Sequence, residues 1–435
     1  MIFNKEIECM ERSKMKKLQL RRLQHIVQYS YDKVPFYKKR FDDIGLKPTD
    51  IQSLEDIEKI PFTTKDDLRK NYPYDLFAVS MDEIIELHAS SGTTGKPVVV
   101  GYTKKDMEDW SEAVARLAAA AGVTKKDIAQ VAFGYGMFTG GFGLHYGLEK
   151  LGATVIPASA GNSERQIMYM KDFKTTVLIS TPSYALYLSE ICQDMGIDPK
   201  SLNLKIGLFG GEGHSSELTK EVEKRWGILD TENYGMTEIT GPGVSGECSY
   251  KNGMHINEDL YYPEIIDTKT HKALPYGSRG EMVLTTLTKE GIPMLRFRTK
   301  DITILYDEKC ECGRTSTRMN KVLGRVDDML IIKGVNVFPS QIESVLMKFE
   351  QIAPHYQILL KNKGFMDTIE VLVEVENGIL LDSYKKLEEI EKNISHELKT
   401  VLLIDAKIKL VEPRTLERTA GKSKRVIDLR DKKQY

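Results

Sequence analysis

Short apolar runs of strand length recur through the middle of the chain. They fall at Ala129–Phe133, Ala153–Pro157, Thr176–Ser180 and Ile206–Phe209. Roughly 20–30 residues separate successive runs, and some of these intervals have helical spacing, such as Ser183–Met195. Fully apolar strands that alternate with helices predict a parallel, doubly wound α/β sheet, in which ligands bind beyond the carboxyl ends of the strands.

The flanking regions have different patterns. Residues 1 to about 80 are charged and predicted to be helical, whereas Tyr262–Ile266 and Glu281–Leu287 read as antiparallel hairpin strands. Strands at Ile369–Val375 and Ala406–Val411 suggest a further small α+β unit. We therefore expect a large N-terminal domain over residues 1–325, with a β-rich subdomain, and a small C-terminal domain over residues 326–435.

Composition narrows the class of protein. The 435 residues include 62 Lys+Arg and 63 Asp+Glu, so the formal net charge is −1. No basic field calls for a nucleic-acid or anionic membrane partner. Neither a signal peptide nor a membrane-length apolar run is evident, and five cysteines are too few for a disulfide framework, which together predict a cytoplasmic protein.

A segment rich in glycine and hydroxyl groups is the most informative chemical feature. It reads Ser90, Ser91, Gly92, Thr93, Thr94, Gly95, Lys96 and Pro97. Converging backbone N–H groups, hydroxyls and a lysine can hold a polyphosphate, although a plain flexible loop has the same composition. It is not a Walker A loop, because Gly92 precedes Gly95-Lys96 by only two residues and Pro97 opposes a following helix.

Four further motifs follow along the chain. They are Tyr234-Gly235-Met236-Thr237-Glu238, Arg298-Thr299-Lys300-Asp301, Gly324-Arg325-Val326-Asp327-Asp328 and Gly421-Lys422-Ser423-Lys424-Arg425. Together with the Ser90–Pro97 loop, this set resembles the adenylate-forming superfamily of acyl- and aryl-CoA synthetases. Tyr135–Gly141, Thr181–Tyr184 and Asp328–Pro339 make the chain most similar to the phenylacetate-CoA ligases.

The resemblance implies two half-reactions: a carboxylate attacks the α-phosphorus of ATP and releases diphosphate, and coenzyme A then displaces AMP. It implies Lys422, Thr237 and Glu238 as catalytic residues, with Glu238 also holding Mg²⁺. The nucleotide and coenzyme A would be bound by the loop Ser90, Ser91, Gly92, Thr93, Thr94, Gly95 and Lys96, and by Gly211, Glu212, Tyr234, Gly235, Met236, Thr237, Asp301, Arg325, Lys333 and Gly334. Tyr234 and Glu212 would border adenine, Asp301 would accept from the ribose diol, and Asp327 would be a domain hinge.

The resemblance also places the acyl group. Its pocket would be lined by Tyr135, Phe138, Gly140, Gly141, Pro182 and Gly213. Aromatic walls and space left by glycine favour an aromatic carboxylate over an aliphatic one. Gly211-Glu212-Gly213-His214 departs from the Gly-Ala-Glu-Pro-Trp of many phenylacetate ligases, so a substituted arylacetate or another aromatic acid is an alternative substrate.

Four residues form a candidate zinc site. Cys310 and Cys312 are one residue apart, and Cys248 and His255 lie within another short segment. Three thiolates and one imidazole suit a closed, structural tetrahedral Zn²⁺ site, and some phenylacetate-CoA ligase-like proteins have a similar arrangement. Unlinked reduced cysteines are the alternative.

Two other functions use the same residues. One is a nucleotide-binding sensor without catalysis, which would not need Lys422, Glu238 and Asp301 together. The other is an adenylating enzyme with a different acid, or with a carrier protein or amine as acceptor. A homodimer is plausible for the family, but the sequence has no decisive interface pattern.

Overall fold

The computed structural model describes residues 1–90, 97–213, 215–332, 335–363, 366–376, 384–419 and 423–430. Its α-helices are α1 Lys5–Glu8, α2 Arg12–Lys33, α3 Pro35–Ile44, α4 Lys65–Lys70, α5 Lys104–Ala121, α6 Thr139–Leu151, α7 Ser163–Asp172, α8 Pro182–Asp194, α9 Ser216–Trp226, α10 Pro339–Leu346 and α11 Tyr384–Leu402.

The strands of the N-terminal part are β1 Glu86–Ala89, β2 Val99–Tyr102, β3 Ile128–Val131, β4 Thr154–Ile156, β5 Val177–Ser180, β6 Ile206–Phe209, β7 Leu229–Met236, β8 Gly241–Glu247, β9 Met254–Ile256, β10 Tyr261–Ile266, β11 Arg279–Thr286, β12 Phe297–Tyr306, β13 Arg318–Met319 and β14 Gly324–Arg325. Those that follow are β15 Leu330–Ile332, β16 Val335–Val337, β17 Ile352–Lys363, β18 Met366–Val375, β19 Ala406–Val411 and β20 Val426–Asp428.

The predicted parallel sheet is confirmed. Strands β4, β3, β5, β6 and β7 lie side by side and pair in parallel. Helices α6, α7, α8 and α9 connect them in turn. Every residue of β5 and β6 is buried, as expected for strands covered by helices on both faces.

The β-rich region continues this sheet. β7 pairs with β8 in antiparallel fashion, and the order then runs β8, β9, β13, β12, β11, β10. The two hairpin strands expected from the sequence are β10 and β11, which pair from Tyr261 opposite Thr286 to Ile266 opposite Glu281. A single mixed sheet therefore joins the parallel and antiparallel parts through β7.

The first helices pack on the far, antiparallel part of the sheet. Arg12 forms an ion pair with Glu258, and the amide of Leu295 donates to the hydroxyl of Tyr37 over 3.1 Å. Leu23 on α2 is fully buried in the same core. Residues that are far apart in the sequence are therefore in contact at this end of the sheet.

The C-terminal part has its own sheet and core. β19, β18, β17 and β20 form four strands in that order, with α11 and α10 packed on them. Buried apolar residues from Ile332 to Ile408 make up a separate cluster. The structure therefore consists of a large mixed α/β domain followed by a smaller domain. Among the described helices, none is both long and apolar enough to cross a bilayer.

Candidate active site

Three strand ends converge at one edge of the parallel sheet. Phe133 after β3, Thr181 after β5 and Gly211 after β6 are neighbours, since a Cβ placed on Gly211 would lie 3.4 Å from the Phe133 ring and 3.7 Å from Thr181 Cγ2. The Thr181 hydroxyl caps α8, and Pro182 occupies the first helical position. This edge is where a doubly wound sheet offers a ligand site.

The end of β7 requires glycine. A Cβ on Gly235 would lie only 1.8 Å from the carbonyl oxygen of Gly241 on β8. The pairing register also shifts between Tyr234 and Gly235. The two backbones therefore approach each other where the Tyr234–Glu238 motif leaves the sheet.

Tyr234, Asp301 and Arg325 form a connected polar group. The Tyr234 hydroxyl donates to Asp301 Oδ2 over 2.6 Å, and Arg325 donates to Asp301 Oδ1 over 2.8 Å. Arg325 also donates to both carboxylate oxygens of Asp327, at 3.0 and 3.2 Å. The predicted nucleotide residues and the predicted hinge residue are thus linked through one guanidinium.

Burial changes the acid–base properties of this group. Removal from water raises the pKa of Asp301 to about 6, although the Arg325 charge and the Tyr234 bond oppose that rise. Burial and the neighbouring Asp301 raise the pKa of Tyr234 well above its usual value, so its hydroxyl stays protonated. Each Asp301 oxygen still has a second lone pair that can accept a ribose hydroxyl.

Thr237 and Glu238 follow β7 in a buried turn. The Thr237 hydroxyl lies 3.2 Å from that of Thr139, the first residue of α6. Glu238 is 4% exposed, and its Oε1 has no hydrogen bond of normal geometry within the described residues. The Lys65 ammonium lies 2.8 Å from this oxygen but outside hydrogen-bond geometry, and a buried carboxylate oxygen of this kind suits a hard cation such as Mg²⁺.

Two lysines that the sequence did not single out support this turn. Lys65, the first residue of α4, places its Nζ 2.8 Å from Glu238 Oε1. Lys289 is buried, donates to the carbonyl of Ile239 over 2.5 Å and lies over the Tyr102 ring. Burial lowers the pKa of Lys289 to about 8. The helix dipole disfavours a cation at the first position of a helix, and this was the sequence signal that could have identified Lys65.

Of the proposed acyl-pocket residues, Tyr135, Phe138, Gly140 and Gly141 lie at or just before the start of α6, whereas Pro182 begins α8 and Gly213 follows β6. The Tyr135 hydroxyl lies 3.0 Å from His145 Nδ1, and its ring meets Phe142 edge-on at 5.1 Å. A Cβ on Gly141 would lie 2.9 Å from the Gly134 carbonyl, and one on Gly140 would lie 2.5 Å from the Phe138 ring. A Cβ on Gly213 would meet no heavy atom within 4 Å. Glycine thus permits close packing at α6, and open space lies beside Gly213.

Glu212 is fully engaged. Its Oε1 accepts from the amide of Ser183 over 2.8 Å, and its Oε2 accepts from the amide of Ser423 over 3.1 Å. The carboxylate therefore joins the start of α8 to the C-terminal domain. Its predicted place beside adenine stays a prediction.

Several predicted residues lie outside the described residues. They are Ser91, Gly92, Thr93, Thr94, Gly95, Lys96, Lys333, Gly334 and Lys422. The base of the predicted phosphate loop is described: the Ser90 amide donates to the Val98 carbonyl over 2.9 Å. The preceding residue, Ala89, donates to the carbonyl of Met137 over 2.8 Å, so the loop begins beside the Tyr135–Phe138 segment.

The four candidate zinc ligands lie together. Cys248 Sγ is 3.8 Å from Cys310 Sγ, and Cys312 Sγ is 3.3 Å from His255 Nε2. All four ligand atoms lie within 4.8 Å of one another. Zn–S bonds of about 2.3 Å at tetrahedral angles require an S–S separation of about 3.8 Å, so the donor set fits the ion. Ser316 Oγ lies 3.1 Å from His255 Nδ1 and orients the imidazole.

Comparisons with known proteins show the family of the chain. A family model described as AMP-binding enzyme matches residues 15–287, and one for the AMP-binding enzyme C-terminal domain matches residues 334–430. A phenylacetate-coenzyme A ligase of Aromatoleum evansii is 46% identical over 98% of this chain and 97% of its own length. One of Escherichia coli (strain K12) is 43% identical over 99% of each chain. The chain belongs to the phenylacetate-CoA ligase family. It is accordingly an AMP-forming acid–thiol ligase of the adenylate-forming superfamily.

Solved structures of one related ligase distinguish domain arrangements. A 2-hydroxyisobutyryl-CoA ligase in its postadenylation state is 30% identical, covers 97% of this chain and 91% of its own, and superposes with a TM-score of 0.92. The same ligase with CoA in the thioesterification state gives a TM-score of 0.73, with 98% and 92% coverage. The phenylacetate-CoA ligase family member described here thus has the domain arrangement of the first state.

Proposed function

We propose that this enzyme converts phenylacetate, or a closely related arylacetate, with ATP and coenzyme A into the aryl-acyl-CoA, AMP and diphosphate. The observation that carries the proposal is 43–47% identity to four phenylacetate-CoA ligases over 93–100% of their lengths. The aromatic rings of Tyr135 and Phe142 at the start of α6 support a flat substrate. A cytoplasmic location is part of the proposal, since the candidate zinc thiols need a reducing compartment.

In the first half-reaction the carboxylate oxygen bonds to the α-phosphorus as the bond to diphosphate breaks. The Ser90–Lys96 loop would hold the leaving phosphates, and Asp301 would fix the ribose. Lys422 would steady the charge that develops on the phosphate oxygens. Bound Mg²⁺, held by Glu238, would neutralise phosphate charge. The buried Tyr234–Asp301 bond keeps the ribose acceptor in place before ATP arrives.

In the second half-reaction the thiol of coenzyme A attacks the acyl carbon and AMP leaves. The Lys333–Phe338 segment would then face the site after rotation about Asp327. The 0.92 and 0.73 TM-scores against one ligase in two states support such a rotation as the means of exchanging residues around one nucleotide.

A substrate panel tests the acid. AMP release with coenzyme A should give the highest kcat/KM for phenylacetate or a ring-substituted arylacetate, against benzoate, indoleacetate, 2-hydroxyisobutyrate and short fatty acids. A preference for an aliphatic acid would contradict the proposed substrate.

ATP–diphosphate exchange without coenzyme A separates an enzyme from a sensor, and replacement of coenzyme A by amines tests the alternative acceptor.

Lys422 offers a sharper test of mechanism. We expect Lys422→Ala to lower the rate of diphosphate exchange by about a hundredfold or more. The negative charge that develops on the phosphate oxygens would no longer be stabilised by the lysine ammonium. Thioester formation from supplied phenylacetyl-adenylate should be spared. Lys424→Ala is the matched control, since Lys424 is exposed two residues away. Equal loss of both half-reactions in Lys422→Ala would contradict the assignment.

The zinc site belongs to the same proposal. Cys248, His255, Cys310 and Cys312 would hold one Zn²⁺ in a structural role, because four protein ligands leave no position for substrate. The ion would clamp the loop between β12 and β13 to β9 and the end of β8. Elemental analysis should find about one zinc per chain.

A further inference from the structure

One face of α8 meets the C-terminal domain. Ser183 and Glu190 are seven residues apart, so they lie on the same side of the helix two turns from each other. Arg425 donates to the Ser183 hydroxyl over 3.1 Å at the start of α8. Further along, His355 Nε2 lies 2.6 Å from Glu190 Oε1. A single helix therefore joins the edge of the active site to a second interdomain contact.

Glu190 is the centre of that second contact. Its Oε2 accepts from Arg418 Nε over 3.4 Å, and Arg225 on α9 approaches Oε1 at 3.9 Å. The side chains of Glu190, His355 and Arg418 are only 13%, 9% and 13% exposed. Burial opposes ionisation, but the His355 bond and the arginine charges outweigh it and lower the pKa of Glu190. The carboxylate is charged and largely screened from water.

Arg418 is itself held firmly. Its two terminal nitrogens donate to the two oxygens of Glu374 on β18, both over 2.8 Å. Glu374 also accepts from the amides of Arg414 and Leu416. The guanidinium is therefore pre-positioned on the C-terminal domain before it meets Glu190.

The same segment enters the active site a few residues later. The Ser423 amide donates to Glu212, whose other oxygen accepts from Ser183 at the start of α8. Arg418 and Ser423 thus attach the chain to the N-terminal domain on both sides of residues 420–422. Lys422 lies outside the described residues, and Arg418 and Ser423 make the described contacts before and after it.

These contacts belong to one domain arrangement. The match to the postadenylation state is much closer than the match to the thioesterification state of the same ligase, with TM-scores of 0.92 and 0.73. Rotation of the C-terminal domain would carry His355 and Arg418 away from α8. The Glu190 contact would then be lost and its charge returned to water.

We propose that Glu190, His355 and Arg418 form a lock that holds the C-terminal domain in the postadenylation arrangement, which we assign to adenylation as well, and that the lock opens before thioester formation. This inference rests on the proposed function, because it assigns the contact to one of the two half-reactions. The three are positioning residues, since they act through the chain around Lys422 and not on substrate. Their contact biases a two-state equilibrium toward the state in which they touch.

Two half-reactions measured on Glu190→Ala test the lock. We expect diphosphate exchange with phenylacetate to fall about tenfold, because loss of a partly buried, charged contact shifts the domain equilibrium by about that factor. Thioester formation from supplied phenylacetyl-adenylate should stay unchanged or rise. If Glu190→Ala does not fold, Glu190→Gln keeps the shape and removes the charge.

The chain provides a matched control on the same helix. Asp194 of α8 pairs with Arg414 at 2.5 Å, but these side chains are 44% and 56% exposed. Asp194→Ala should leave both half-reactions within about twofold, because exposed ion pairs contribute little. Unchanged exchange in the Glu190 variant, or equal loss of both half-reactions, would overturn the lock.

Hydrogen exchange gives a readout that does not depend on activity. The Ser423 amide should exchange faster in Glu190→Ala than in the unchanged protein and in Asp194→Ala, because its acceptor Glu212 is in reach only while the domains are locked. Equal exchange in all three proteins would overturn the lock even if phenylacetate were not the substrate. Absence of diphosphate exchange with every acid in the unchanged protein would instead contradict the proposed function.

Discussion

Single residues in this site serve two partners at once. Asp301 binds Tyr234 through one oxygen and Arg325 through the other. Glu212 similarly accepts from the amides of Ser183 and Ser423. Because each carboxylate joins separate segments of the chain, replacing it disturbs more than the ligand that it is proposed to bind.

Asp301 predicts a pH dependence of nucleoside binding. Its pKa is raised to about 6 by burial, so protonation below that pH removes the charged acceptor. Affinity should therefore be full above pH 7 and fall as the pH decreases through 6, by about tenfold between pH 7 and pH 5. Adenosine is the appropriate probe, because it lacks the titrating phosphate of AMP.

Asp301→Asn should bind adenosine weakly and with a flat profile over that range. Asp327→Asn is the control, because Asp327 contacts the same Arg325 but is exposed. Its affinity should still fall as the pH decreases, with the fall displaced to lower pH, because the Asp327 charge contributes to the raised pKa of Asp301. A flat profile in the unchanged protein would exclude Asp301 as the titrating ribose acceptor.

At the scale of elements, sequence pattern predicted the parallel strands closely. The run Ile206–Phe209 is β6 without change, and Thr176–Ser180 is β5 from Val177. Strands that are buried along their whole length appear in the sequence as continuous apolar runs, which makes them easy to predict. The pattern did not indicate that β7 joins the parallel and antiparallel strands in one sheet, because pairing between distant strands is decided by tertiary packing. Lys65 and Lys289 were missed because their partners Glu238 and Ile239 are distant in the sequence, and only the helix position of Lys65 offered a signal.

The close approach of β7 and β8 predicts an effect of substitution on stability. Gly235→Ala should destabilise the protein by about 3 kcal/mol, because its Cβ would overlap the Gly241 carbonyl and force the strands apart. Gly134→Ala is the control, since a Cβ there meets no heavy atom within 4 Å. Urea unfolding would measure both. Equal stability of the two variants would contradict the close approach.

The zinc loop predicts a coupled loss of metal and stability. Cys310→Ser with Cys312→Ser should abolish bound zinc and lower the Tm by about 10 °C, because metal binding contributes to folding. Diphosphate exchange at 25 °C should persist, since the proposed role of the zinc is structural. Cys9→Ser is the control, as Cys9 lies outside the cluster of ligand atoms. Less than half an equivalent of zinc in the unchanged protein would count heavily against the site.

At the scale of the whole molecule, the sequence motifs predicted the class of reaction but did not predict the contacts between the domains. The order of motifs from Ser90 to Lys422 was readable because phosphate and ribose recognition restricts residue type. The lock at Glu190 was not, because glutamate and arginine are ordinary on exposed helices and strands. Only the folded arrangement brings α8 and residue 418 together. The boundary at residues 325/326 stays a prediction.

The docking of the first helices on the distant end of the sheet has a consequence for biosynthesis. Arg12 pairs with Glu258, and Tyr37 accepts from an amide 258 positions later. A ribosome must therefore synthesise most of the large domain before α2 and α3 have a surface to cover. Until then we expect their apolar faces to be exposed to solvent and to other chains, a state in which chaperones protect nascent segments from aggregation.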